Sequence, residues 1–98
     1  MSSLSVDEAR KVVLRTVARD WLEHLDPDDY RVPAYGWRIG EDLFFPDGPT
    51  VELDEDEYPV GIGLAVVNAA TGRASRTSSA DVFRVLTEGE EFGEHPDD

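Results

Sequence analysis

Ninety-eight residues carrying 22 acids against nine bases give a formal net charge of −13, a balance that repels nucleic acid and anionic lipid surfaces and favours basic partners. The absence of cysteine excludes a disulfide framework and thiolate metal or redox chemistry, and no apolar stretch approaches the roughly twenty residues a membrane span needs. A chain of this length supports one modest core, because area scaling has folding bury about 65% of the surface an unfolded chain would expose.

The start, MSSLSVDEARKVV, lacks the basic and then uninterrupted apolar pattern of a secretory signal, which leads us to expect a cytoplasmic protein. Ser5-Val6-Asp7-Glu8 fits a capping box and opens a helix. On a 3.6-residue period Val6, Ala9, Val13, Leu14, Val17, Trp21 and Leu25 share one apolar stripe, with Lys11, Arg15 and Arg19 in a row opposite. The spacing predicts one long helix ended by Asp26-Pro27, with Arg10 snorkelling from its apolar sector.

Tyr30 to Ile39 carries strand formers interrupted by Pro33 and Gly36 and reads as one or two short strands. Leu43-Phe44-Phe45 reads as an edge segment ahead of the Pro46-Asp47-Gly48-Pro49 turn. Thr50-Val51-Glu52-Leu53 alternates like a strand with Val51 and Leu53 inward. The run from Gly61 to Val67, the NAATG turn and Arg73 to Thr77 predict a hairpin whose apolar first strand lies near the sheet centre, with Gly72 at positive φ. Ser78 or Ser79 then caps a last helix whose Val82, Val85 and Leu86 meet the core and whose end is Gly89.

These elements specify an α+β fold in one domain, residues 1–98. A long N-terminal helix packs on a three- or four-stranded antiparallel sheet, and a short C-terminal helix follows. The core spans about residues 5–88, with 89–98 a loose acidic tail holding His95. Trp21 and Trp37 are the expected core anchors.

The pattern offers no catalytic signature. Thr77-Ser78-Ser79 has no histidine near it in sequence, and His24 and His95 belong to no ligand pair. From Asp54 the calcium-loop spacing fails at Tyr58 and Pro59. Gly61-Ile62-Gly63 meets Val66 where a dinucleotide motif needs its third glycine. Neither catalytic residues nor a cofactor or metal are therefore expected.

The residues that stand out are acidic. ELDEDEY places Asp54, Glu55, Asp56 and Glu57 in a row beside Glu52 and Tyr58, and these six form the candidate partner-binding site for a basic protein.

The helix carrying Asp7-Glu8-Ala9-Arg10, the Tyr35-Gly36-Trp37 step, the strand and turn GIGLAVVNAATGRA and the bridge RTSSADVFRVL together resemble the YrhB-like domain, a family grouped among immunity proteins of bacterial polymorphic toxin systems. The likeness covers roughly residues 6–87. It implies a non-catalytic immunity protein whose partner is a toxin domain. Arg38 departs from the family pattern, which has an apolar or aromatic residue after the glycine and tryptophan. So does the stretch 41–57, with eight acids and no base. A small acidic chaperone or nucleic-acid mimic engaging basic clients is the alternative, and a small-ligand or enzymatic α+β domain using the hollow of the sheet is a third.

Overall fold

A computed structural model describes residues 3–54, 56 and 63–95. Helix α1 (Val6–Arg15) begins on the expected capping box. The Ser5 hydroxyl accepts from the Glu8 N–H at 3.2 Å, and the Glu8 carboxylate accepts from the Ser5 N–H at 3.0 Å. The bond from the Ser5 backbone, and then the Ser5 side chain, hold the Glu8 carboxyl below the usual carboxylate range.

The single long helix is not formed. α1 stops at Thr16, whose φ of −125° and ψ of −85° leave the helical region, and one further turn, α2 (Arg19–Leu22), follows. At the break the Thr16 hydroxyl donates to the Val12 carbonyl at 2.6 Å, and the guanidinium of Arg76, distant in sequence, donates to the Val17 carbonyl at 2.9 Å. The Val17 carbonyl thus accepts a tertiary donor beside the local one from the Asp20 N–H at 3.1 Å. The apolar stripe differs from the expected one: Leu14, still within α1 and expected inside, is 52% exposed, and past the break Ala18 is fully buried along with Trp21.

A 3₁₀ turn over Pro27–Asp29 leads into β1 (Tyr30–Arg31), then β2 (Gly36–Ile39), β3 (Asp42–Phe45) and β4 (Gly48–Pro49). After the acidic run come β5 (Ala65–Asn68), β6 (Ala74–Arg76), α3 (Ser79–Glu88) and β7 (Glu90–Phe92). Five strands form one antiparallel sheet in the order β6-β5-β3-β2-β7, while β1 and β4 pair separately. The α+β class holds, but among the described residues the main sheet has five strands rather than three or four.

Three local expectations fail, and one of them adds a strand to the sheet. Leu43-Phe44-Phe45 belongs to the central strand, not an edge, and all three side chains are buried. Glu90–Phe92, placed in the tail, closes the sheet by pairing with β2. Thr50 to Leu53 forms no strand, and Val51 is 43% exposed rather than inward. The hairpin of β5 and β6 stands as expected from Ala65 onward, with Gly72 at φ 76°. Its first residues, Gly61 and Ile62, lie outside the described residues.

The two faces of the sheet are covered from opposite sides. Leu43, Phe45, Ala65 and Val67 join Ala9, Val13, Ala18 and Trp21 in one cluster, whereas Phe44 and Leu64 join Val85, with Trp37, Val66 and Val82 packed around them. This two-sided burial is why Leu64 to Val67 reads as an unbroken apolar run instead of alternating. α3 crosses its face from the β6 edge to the β7 edge. Val85 is 2% exposed and Val82 half-buried, but Leu86, expected in the core, is 48% exposed. Ser78 occupies the N-cap position without capping the backbone, its hydroxyl donating instead to Asp81. Gly89 ends the helix because of crowding: a Cβ there would sit 2.6 Å from the Val85 carbonyl oxygen and 2.7 Å from Trp37 Cβ.

Candidate functional site

The chain brings two acidic segments together. β1 pairs with β4, Tyr30 opposite Pro49 and Arg31 opposite Gly48, and the Thr50 N–H donates to the Asp29 carbonyl at 2.8 Å. The turn Asp26-Pro27-Asp28-Asp29 therefore runs beside Val51 to Leu53. Between them lies an open groove of about 530 Å³, rimmed by Glu23, Asp26, Asp29 and Glu52. Leu22, Leu25 and Leu53 line it too, and all three are half-buried against the core. Of these apolar residues Val51 alone is exposed, so the groove presents a mostly polar, mostly acidic surface, which His24 also lines.

Of the six residues singled out in the sequence, Glu52, Asp54 and Asp56 are exposed, and of these three Glu52 alone lines the groove. Glu55, Glu57 and Tyr58 lie outside the described residues. The groove adds Glu23, Asp26 and Asp29, which are not among the candidates read from the sequence. Their only signal was a second cluster of acids, and the β1–β4 pairing that unites the two clusters is a tertiary fact. Among the described residues none of Glu23, Asp26, Asp29 and Glu52 has an ion-pair partner. Exposed like charges are tolerable where water screens them over about 8 Å at physiological salt.

A buried ion network supports this arrangement from beneath. Arg76 on β6 makes a bidentate pair with Asp47, at 2.7 and 2.8 Å, and donates to Asp20 at 2.9 Å, to the Gly63 carbonyl at 2.9 Å and to the Val17 carbonyl at 2.9 Å. The Tyr30 hydroxyl donates at 2.6 Å to Asp47 Oδ2, the oxygen that also accepts from Arg76 Nη2. The Asp47 side chain is fully buried, and that of Arg76 is 10% exposed. Burial opposes the guanidinium charge, but the hydrogen bonds and charges of Asp47 and then Asp20 outweigh it and raise the Arg76 pKa. For Tyr30, burial first, then the bond to Asp47 and its charge, push the phenol far above its ordinary value. Every guanidinium edge is engaged, so the network holds structure: it fixes the helix break, β4 and β1 against the sheet.

The other titratable groups take structural posts. Thr77 Oγ1 accepts from the Leu64 N–H at 3.0 Å. His95 packs against Tyr35 and Trp37, with ring centroids 4.7 and 5.1 Å away, and its Nε2 lies 2.9 Å from the Gly36 carbonyl. It is thus anchored on β2, not loose as expected. Lys11, Arg15 and Arg19 are exposed, as expected, but Asp7 turns to Arg10 at 3.5 Å, and Arg10 itself clamps the Val32 carbonyl at 2.7 and 3.0 Å. Among the described residues no group of three or more His, Asp or Glu side chains converges as metal ligands would, and no helix is long and apolar enough to cross a membrane. No family model, curated protein or solved structure matches the chain.

Proposed function

We propose that this is a non-catalytic binding protein that neutralises a basic protein partner, a bacterial toxin domain in the reading the YrhB-like resemblance implies, by laying the acidic groove over the partner's basic surface. One observation supports this best: two acidic segments far apart in sequence are held side by side along one groove, with the exposed Val51 between them. The carboxylates supply steering, which raises association rates by about 10- to 1000-fold at low salt and fades as salt screens it. Speed matters for an inhibitor that must capture its target before damage is done.

The test is a fourfold neutralisation, Glu23→Gln, Asp26→Asn, Asp29→Asn and Glu52→Gln, with capture from cells as the first readout and stopped-flow association with the captured partner as the second. The proposal expects one stoichiometric basic partner, slower association of the variant and a shallower salt dependence, with the fold retained. Capture of many unrelated basic proteins would favour the acidic chaperone or nucleic-acid mimic instead. An unchanged association rate at low salt would remove the groove from the interface.

A further inference from the structure

The face of the sheet under α3 is only partly covered. α3 packs chiefly over β2, and beside its Asp81–Arg84–Val85 side an open cleft of about 330 Å³ remains over β3, β5 and β6. Its floor is apolar: Phe44, Val66 and Val85 line it, Phe44 and Val85 being 7% and 2% exposed. Its rim is charged with both signs. Arg73 and Arg84 supply two guanidinium groups, and Asp42 and Asp81 supply two carboxylates.

These rim charges are available to a ligand. Among the described residues Arg73 has no ion-pair partner, although the chain has 22 acids. Arg84 reaches only Glu88, at 3.1 Å, in a pair whose side chains are both 61% exposed, a class of contact that contributes little and exchanges readily. Asp42 accepts one bond from Asn68 Nδ2 and Asp81 one from Ser78 Oγ, each at 3.1 Å. An ionised carboxylate offers about four acceptor positions, so both have capacity left.

The charge of the whole molecule selects among ligands. A small anion must approach against a net charge of −13, and a small cation finds competing carboxylates all over the surface. A zwitterion approaches at no net electrostatic cost and meets both signs only where they converge. A cleft of this size, with an apolar floor and a few convergent polar groups, is the usual form of a small-molecule site.

We propose that this cleft binds a small zwitterion of the α-amino-acid class with an apolar side chain. The carboxylate lies toward Arg73 and Arg84, the ammonium toward Asp42 and Asp81, and the side chain rests on Phe44, Val66 and Val85. The site lies on the α3 face, and the proposal is independent of the acidic groove.

Titration of the ¹⁵N-labelled protein with L-phenylalanine, 3-phenylpropionate and 2-phenylethylamine tests it, since the two analogues each lack one charge. Saturable shifts are expected with L-phenylalanine, confined to β3, β5, β6 and the first turns of α3, with each analogue weaker by about tenfold or more. Arg73→Gln and Asp42→Asn, both at partly solvated rim positions, are expected to weaken L-phenylalanine to the level of the matching analogue. Phe83→Ser, on the outer side of α3, is expected to leave binding unchanged. Absence of saturable shifts up to about 10 mM, or an amine or acid analogue binding as well as the amino acid, would overturn the proposal. So would rim variants that bind normally.

Discussion

Arg76 is the residue on which most of the tertiary structure converges, and the consequence is asymmetric. Replacing it by leucine leaves Asp47 buried without its counter-charge, and loss of one member of a buried pair costs about 3–5 kcal/mol. Urea unfolding of Arg76→Leu is expected to show a loss in that range, partly recovered in the double variant Arg76→Leu/Asp47→Leu, which removes both charges. Tyr30 gives a pH signature. Its folded pKa is raised above the unfolded value, so its contribution is fully present below about pH 10 and stability falls as pH rises from there, by about 1.4 kcal/mol per unit for one proton. A phenolate absorbance titration is expected to show Tyr30 ionising only as the chain unfolds, and Tyr30→Phe to flatten the alkaline limb of the stability curve.

At the scale of elements, the parts legible in the sequence were those fixed by local chemistry. The Ser5 and Glu8 capping box and the Gly72 turn each depend on neighbours within a few residues, and the structure has them where the pattern put them; the last helix also ends at Gly89, where part of the crowding comes from the distant Trp37. What failed depended on distant partners. Nothing near Val17 in sequence announces that Arg76 will take its carbonyl, so the helix break was invisible. Likewise Leu43-Phe44-Phe45 reads as a short apolar run whether it lies at an edge or at the centre; only the pairing with both β2 and β5 decides. Amide exchange is expected to be slowest in β3 and β5, flanked on both sides, and faster in the edge strands β6 and β7. Val13→Asp, at a fully buried position of α1, is expected to abolish the cooperative melt, because a carboxylate there has no partner to offset its desolvation.

For the molecule as a whole, charge and fold pull against each other. A net charge of −13 destabilises the compact state by self-repulsion, so the melting temperature is expected to rise as salt goes from about 0.01 to 0.15 M, where the screening length shortens from about 30 to 8 Å. The fourfold groove neutralisation is expected to shrink that rise; an equal rise in both proteins would place the repulsion elsewhere. The candidate site was half legible for the same reason. The run at residues 52–57 is conspicuous in the sequence, but the groove also needs Glu23, Asp26 and Asp29, and their approach depends on the folded β1–β4 pair.

The contacts of Arg76 also have a kinetic meaning. They span 13, 29, 56 and 59 residues along the chain, and the three longest, to Asp47, Asp20 and Val17, are expected to close late, after the β5–β6 hairpin has met the helices and the β3–β4 segment. Interactions made after the rate-limiting step act on the escape rate from the native state and leave the folding rate nearly alone. Arg76 therefore works as a latch fastened last: the denaturant chevron of Arg76→Leu is expected to keep its folding arm and raise its unfolding arm, shortening the lifetime of the native molecule without slowing its formation.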